Sequence, residues 1–199
     1  ELMQKLGEKR YRGEQLFRRP LKKDETAELV AIWAKGAAPA GDRSGDFNKG
    51  LKLALISLLV DPEFLFRVER AEADPANAGA YRLDAYSKAE RLSYALWDTA
   101  PDAELLEAAR SGALHTPDGL AKQVDRLVAS PRLGDGVRAF FTDVLRFENF
   151  DTLSKDAATY PMFSQAVADG AKEETLRTLV DQLVTQKGDY RDIFTTRTS

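Results

Sequence analysis

The chain has 199 residues, of which 43% are hydrophobic and 31% are charged, and its formal net charge is −3. This composition is that of an ordinary globular protein with one sizeable core or two small ones, and it excludes a disordered chain. The small net charge excludes a strong general attraction to nucleic acid or anionic lipid. Because the chain contains no cysteine, disulfides, thiolate metal sites and a covalently attached c-type haem are excluded within it.

No apolar run reaches the length that a transmembrane segment needs, and no signal peptide is visible. The chain begins at Glu1 without an initiator methionine and ends at Ser199. We therefore expect it to be an excised, processed or truncated part of a longer protein.

Apolar residues recur at helical spacing along most of the chain, while no alternating strand pattern is visible. The pattern predicts an all-α fold, an irregular bundle of about seven to eight helices with no sheet. Caps and helix breakers set the bounds. The predicted helices cover residues 2–17, 24–34, 47–60, 84–97, 101–110, 117–129, 131–145 and 161–187.

Two loops divide these helices, at residues 36–45 and 71–80. The second loop is the best internal boundary, and it predicts an N-terminal helical module over residues 1–70 and a second, truncated module over residues 81–199. We expect the two modules to share one packed unit. Apolar residues surround the helix at 47–60 almost completely, which predicts burial on more than one side.

The stretch from Tyr81 to Arg110 is predicted to form the centre of the core. It reads YRLDAYSKAERLSYALWDTAPDAELLEAAR, with Asp84 starting one helix and Pro101 the next. The apolar residues of the first helix fall on one side of a helical wheel. They are Ala85, Tyr86, Ala89, Leu92, Leu96 and Trp97.

The last predicted helix carries apolar residues on two sides. Phe163, Val167 and Ala171 lie near Glu174, whereas the run from Leu176 to Val184 lies mainly opposite. The pattern predicts either a bend near Gly170 or packing of the two halves against different neighbours.

The sequence contains no CxxCH, HExxH, GxGxxG, GxxxxGK[ST] or GxSxG motif. The only histidine, His115, can be read as a metal ligand, a haem axial ligand or a general base. It has no second histidine as a partner, and its position beside a helix start suggests exposure. We therefore favour a structural role, and for Met3 and Met162 we favour apolar packing over haem ligation.

Asp42, Ser44 and Asp46 have the alternate spacing that opens a calcium-binding loop. Phe47 stands where such a loop needs glycine, and Leu53 stands where it needs a bidentate glutamate. We therefore predict a solvated loop in which Asp46 caps the following helix, and no metal or cofactor site is predicted anywhere in the chain.

Glu173 and Glu174 are the carboxylates of most interest. Glu174 extends the apolar side of the last helix, so partial burial with a raised pKa would suit it to proton transfer or metal binding. It is the catalytic candidate that the sequence offers. The alternative is a structural ion pair with Arg177, which lies four residues after Glu173 and three after Glu174.

Two basic features allow further interpretations. Arg91 lies off the apolar stripe, so it can be solvated or can bridge to another helix or a missing domain. The basic beginning of the chain permits phosphate contacts, but interleaved acids and the missing recognition motifs favour a solvated helix face. Its cations are Lys5, Lys9, Arg10, Arg12, Arg18, Arg19, Lys22 and Lys23.

Several segments resemble a known family in their order along the chain. They include FRRPL at residues 17–21, GLKLALISLLVDPEFLFRVE at 50–69 and LDAYSKAERLSYALWDTAPDAELLEAA at 83–109. The family pattern is also matched by LVASPRLGDGVRAFFTDVLRF at 127–147 and by the later YP and EET. The chain thus resembles the adjoining helical domains of unknown function in planctomycete-type cytochrome-associated proteins, which also occur in myxobacteria.

The resemblance implies an exported, periplasmic or otherwise extracytoplasmic protein with a c-type haem elsewhere in the longer chain or in a partner. It implies no catalytic residues. We therefore expect a non-catalytic scaffold or interaction module that packs against other domains or subunits. The alternatives are part of an oxidoreductase or hydrolase whose site is completed by other segments, with Glu174 in it, and nucleic-acid binding through the basic beginning.

Overall fold

The computed structural model describes residues 14–39 and 45–195, and most of these residues are helical. The regular elements are, in chain order, α1 (Lys23–Ala37), α2 (Phe47–Val60), α3 (Pro62–Leu65), β1 (Ala71–Ala73), β2 (Tyr81–Leu83), α4 (Ala85–Trp97), α5 (Ala103–Arg110), α6 (Pro117–Val128), α7 (Leu133–Val144) and α8 (Gln165–Val180). Short 3-10 turns lie at Ala113–His115, Phe147–Thr152 and Tyr190–Phe194, and a π-helical turn at Asp181–Thr185 follows α8. The predicted helical fold is confirmed in outline.

The expectation of no sheet is wrong, because β1 and β2 form an antiparallel hairpin. Its register pairs Ala71 with Leu83 and Ala73 with Tyr81. Strands of three residues are too short to show an alternating pattern, so the sequence indicated only the turn between them. Gly79, with φ of 82°, provides a left-handed residue in that turn.

α1 and α2 pack at a pair of glycines. A Cβ on Gly36 would lie 2.7 Å from Leu53 Cδ1 and 2.9 Å from Gly50 Cα. A Cβ on Gly50 would lie 2.8 Å from Ala37 Cβ and would also clash with the carbonyl oxygen of Trp33. Gly36 was expected to end its helix, but it lies inside α1. Glycine is needed at this position because the close approach of α2 leaves no room for a side chain.

The helix starts follow the caps that the sequence suggested in most places. Asp46 Oδ1 accepts hydrogen bonds from the backbone N–H groups of Asn48 and Lys49, which confirms it as the cap of α2. Asp84 likewise accepts from the backbone of Ser87. Asp24 does not cap α1, because the helix already begins at Lys23 and Lys22 occupies the N-cap position.

The last helix is shorter than predicted. α8 begins at Gln165, because the backbone N–H of Phe163 closes a turn onto the carbonyl of Tyr160. The helix runs without interruption through Gly170, and its buried residues Ala168, Leu176 and Leu179 lie on one face. Near its start, α8 contacts the 3-10 turn at Phe147–Thr152 through Gln165, and further along it contacts α7 through Glu173. A bend near Gly170 and different neighbours for the two halves both stay predictions.

The chain divides into two compact units. One comprises Glu1–Arg91 and Ala100–Leu120, and the other comprises Leu92–Thr99 and Ala121–Ser199. In the first, Phe17, Ala89, Leu105 and Leu114 are buried. In the second, buried Phe141, Phe147, Leu176 and Leu179 form an apolar cluster. Within the described residues, no helix has the length and apolar character to cross a bilayer.

Candidate functional site

His115 lies at the meeting point of three segments of the first unit. Its Nε2 lies 3.2 Å from Glu72 Oε1 on β1, and its Nδ1 lies 3.1 Å from Lys88 Nζ on α4. Lys88 Nζ also donates to the carbonyl of Leu114 at 3.3 Å. Because an ammonium group only donates, Nδ1 must accept, and Nε2–H then donates to Glu72. The geometry therefore selects one neutral tautomer.

The surroundings of His115 favour that neutral form. Burial lowers the pKa of its imidazole, and the positive charges of Lys88 and Arg82 lower it further against the opposing effect of Glu72 and Asp84. Its side chain is only 15% exposed, so the expected exposure is wrong. Both ring nitrogens have protein partners, so a metal ion or substrate would have to displace Lys88 or Glu72.

The two carboxylates of α8 have different surroundings. Glu173 accepts from Arg177 Nε at 2.7 Å and also pairs with Arg138 of α7, which confirms the structural ion pair. Arg138 and then Arg177 lower the pKa of Glu173. Glu174 is exposed, so its expected partial burial is wrong. The helix turns Leu176 and Leu179 inward, and this rotation carries Glu174 outward.

Arg91 forms a bridge within its own unit. Its guanidinium pairs with the carboxylate of Glu69 through two nitrogens, and the Nη2–Oε2 distance is 2.7 Å. The side chain of Arg91 is 60% exposed. Arg91 is therefore largely solvated, and it bridges to the segment that leads from α3 to β1 and not to another helix.

The other predicted positions do not converge on a site. Asp42, Ser44 and Met3 lie outside the described residues, while Met162 is 86% exposed, so its expected packing role is wrong. Met162 lies in the turn before α8, where no apolar neighbour covers it. In the described part of the chain, no group of three or more histidine, aspartate or glutamate side chains could hold a metal ion.

The basic beginning is partly turned inward. Lys5, Lys9, Arg10 and Arg12 lie outside the described residues, and Lys22 and Lys23 are exposed. Arg18 and Arg19 of the FRRPL segment are 6% and 7% exposed, so they do not form part of a solvated basic face.

Arg18 joins three segments of the first unit. Its Nη2 donates to the carbonyls of Glu63 and Phe66 at 2.7 and 2.6 Å, and its Nη1 donates to that of Phe64 at 3.3 Å. These carbonyls lie at the end of α3, where a helix has no internal donors for them. The Nε of Arg18 lies 2.5 Å from Glu90 Oε1 on α4. Arg18 therefore ties α3 and α4 to residues 14–17, which are helical.

Glu90 is the carboxylate that this arrangement buries. It is 7% exposed, and burial raises the pKa of its side chain, while Arg18 acts in the opposite direction. A buried carboxylate is retained when a buried partner neutralises it, which Arg18 does here. Glu90 is thus part of the internal framework.

Arg19 forms a second ion-pair group beside the first. It contacts both carboxylate oxygens of Glu25, at 2.9 and 2.6 Å, and Glu63 Oε2 at 3.3 Å. The hydrogen bond from Arg19 lowers the pKa of Glu25 to about 2. Glu63 also pairs with Arg70, so the group connects α1, α3 and the segment before β1.

Sequence reasoning missed the roles of Arg18, Arg19 and Glu90. Two arginines followed by proline at a helix end were visible in FRRPL, and Glu90 sits amid the apolar residues of α4. A charged residue between buried apolar neighbours is a usable signal for an internal ion pair. Arg18 and Glu90 lie 72 positions apart along the chain (90 − 18), so spacing in the sequence could not show that they pair.

Trp97, in the RLSYALW segment, is anchored in the second unit. Its indole Nε1–H donates to the carbonyl of Leu127 at 2.9 Å, and the guanidinium groups of Arg126 and Arg132 lie 5.5 and 5.1 Å from the ring. Gly136 of α7 lies against the backbone of Leu96 and Trp97 so closely that no Cβ fits there. This motif residue therefore holds α4 to α6 and α7.

The exposed surface of α2 is the feature least expected from the sequence. Burial of α2 on more than one side was predicted, and this is wrong. The helix turns Gly50 toward α1, with half-buried Ala54 and Ser57 on the same side. Leu51 and Leu58 are half-buried, whereas several other large side chains point outward. We define the α2 face as Leu55, Ile56, Leu59 and Val60, which are 45%, 44%, 45% and 62% exposed.

Two family models match the chain. That of PSD4, described as a protein of unknown function (DUF1592), matches residues 83–199, and that of PSD5, described as a protein of unknown function (DUF1595), matches residues 9–69. No curated protein and no solved structure matches it. Since the first model covers more than half of its residues, the chain belongs to the DUF1592 family of proteins of unknown function.

Proposed function

We propose that this chain is a non-catalytic helical module of a larger extracytoplasmic protein linked to c-type haem, in which it packs against other domains or subunits. The observation that carries the proposal is the orientation of α2. This helix packs on α1 through its smallest residues and leaves four large aliphatic side chains at least 44% exposed. Contiguous apolar surface of this kind is typical of protein contact sites.

The internal use of the motif residues supports the same role. Arg18, Glu90 and Trp97 belong to the segments that resemble the family, and each is buried in contacts that connect helices. Residues used in this way stabilise a framework. They are not free to meet a substrate.

The link to haem and the extracytoplasmic location rest on the resemblance of the sequence segments alone. The haem would be attached elsewhere in the longer protein or in a partner, because this chain has no cysteine to form the thioether bonds. No residue of the chain is assigned to the haem.

The test uses the natural full-length protein and three variants of it. The double substitution Leu55→Ser with Leu59→Ser removes apolar surface from α2, Glu174→Gln removes the catalytic candidate, and Phe140→Ser is a control at another exposed apolar position (59%). We expect only the first to reduce the mass of the assembly, measured by light scattering, while circular dichroism stays unchanged.

Two results would contradict the proposal. One is an assembly of unchanged mass in the Leu55→Ser/Leu59→Ser protein. The other is loss of an enzymatic activity in Glu174→Gln protein that still folds and assembles, which would favour the enzyme alternative.

A further inference from the structure

We propose that the α2 face binds an amphipathic partner helix whose apolar stripe is bordered by carboxylates at the end that lies over Lys49 and Lys52. This inference rests on the proposed function, because it names the chemistry of the partner that the module binds. The α2 face and the two lysines are both exposed and lie on the same side of the helix.

The shape of the surface favours a helix as the partner. Ile56 and Leu59 are three residues apart, and Leu55 and Leu59 are four apart, so the outward side chains form one stripe along successive turns. Such a stripe accepts the apolar face of a second helix, with anchors at the matching spacing. Leu53, by contrast, lies toward Gly36 of α1.

Charge decides which helix fits. α2 contains Lys49 and Lys52 and no acidic residue, so its exposed side is apolar with a positive end. A partner with carboxylates at that end forms complementary pairs, whereas one with lysines there is repelled.

A second copy of the chain lacks this complementarity at α2. Parallel pairing of two α2 helices would place lysines against lysines. Antiparallel pairing would place Lys52 opposite the aliphatic residues near Leu59. Lys49 would then lie near Asp61, whose carboxylate is already used to cap α3 by accepting from the N–H of Glu63. A membrane surface is also a poorer match, because interfacial helices carry a polar face rich in lysine and arginine, and α2 has two such residues in all.

The experiment measures binding of the full chain to two designed helical peptides by fluorescence anisotropy. The peptides share one apolar stripe and differ only in their flanking residues, which are glutamates in one and lysines in the other. We expect the glutamate peptide to bind at least about tenfold more tightly at low salt, with the difference shrinking at high salt.

Variants of the chain test which residues carry this preference. The charge reversal Lys49→Glu with Lys52→Glu should invert the preference, and Leu55→Ser with Leu59→Ser should weaken both peptides at least about tenfold. Phe140→Ser is the control and should change neither affinity.

Equal affinity for both peptides, or a preference that survives the charge reversal, would overturn the inference. Binding only to vesicles of mixed neutral and anionic lipid would overturn it in favour of a membrane, and concentration-dependent dimerisation abolished by Leu55→Ser/Leu59→Ser would overturn it in favour of a second copy. If these variants still disrupt the native assembly, the proposed function stands and only the partner chemistry fails.

Discussion

Arg18 connects α3 and α4 within the first unit. It adopts a left-handed backbone conformation, with φ of 56°, which is uncommon for a residue other than glycine. From there its guanidinium meets the carbonyl end of α3 and the buried carboxylate of Glu90. One side chain thus satisfies a helix end and neutralises an internal charge.

Arg18→Met is expected to destabilise the protein by about 3–5 kcal/mol, because it removes the buried guanidinium that faces Glu90 and donates to the carbonyls at the end of α3. Arg91→Met is the matched control, since it removes an arginine from an exposed ion pair, and the free energy of unfolding should barely change. Urea denaturation measures both variants. Equal stability of the two would show that the Arg18–Glu90 pair is not a structural centre.

Glu25 should contribute to the acid sensitivity of the fold. Its folded pKa of about 2 lies below the ordinary value of 4.5, so its stabilising effect is complete above about pH 4.5 and is lost as the pH falls toward 2. A full shift of this size corresponds to about 3 kcal/mol, and solvent screening reduces the expected effect to about 1–2 kcal/mol.

The measurement compares the free energy of unfolding of the wild type and Glu25→Gln between pH 2 and pH 6. The two curves should converge at low pH and separate as the pH rises. The contribution of Glu90 to the pH dependence of stability has the opposite sign, because its raised pKa makes the charged form less stable in the folded protein. The substitution Glu25→Gln therefore isolates the effect of one carboxylate. Parallel curves for the two proteins would contradict the assigned role of Arg19.

Among the elements, the α1–α2 pair depends on glycine. Gly50→Ala should destabilise the protein by about 1–3 kcal/mol, because the added Cβ meets Ala37 and the backbone of Trp33. Gly170→Ala in α8 is the matched control, since no atom lies within 4 Å of its added Cβ. It should stabilise the helix by about 0.5–1 kcal/mol.

Thermal unfolding distinguishes these changes, with a lower midpoint for Gly50→Ala and a higher one for Gly170→Ala. A midpoint for Gly50→Ala that equals or exceeds that of the wild type would mean that the two helices are further apart than described.

Most elements could be predicted from the sequence, because apolar spacing and side-chain caps are local. Asp46 and the residues after it give the start of α2 directly. The predictions that failed concern features that depend on contacts with other elements. Glycine ends many helices, but Gly36 lies within α1 and allows Gly50 of α2 to approach closely. β1 and β2 are defined by their pairing with each other.

The outward side of α2 could not be predicted for a related reason. Hydrophobicity alone indicates burial, and α2 is apolar almost all round. The helix instead uses its small side to approach α1, which only the positions of Gly36 and Gly50 reveal. For Glu174, the packed face of α8 runs through Ala168, Leu176 and Leu179, and position 174 lies off that face.

At the scale of the whole molecule, each unit is held by its own internal contacts, and the motif residues provide several of them. The Arg18 and Arg19 groups connect elements of the first unit, and Trp97 connects elements of the second. The boundary proposed between residues 70 and 81 stays a prediction. In the first unit, the exposed aliphatic α2 face fits a module that binds other protein segments.

Hydrogen–deuterium exchange of α2 tests that role most directly. Amide exchange over Phe47–Val60 is measured in the isolated chain and in the natural full-length assembly, with α8 as the internal reference. The proposed role predicts slower exchange of α2 in the assembly and little change in α8. Equal exchange of α2 in the two samples would contradict it.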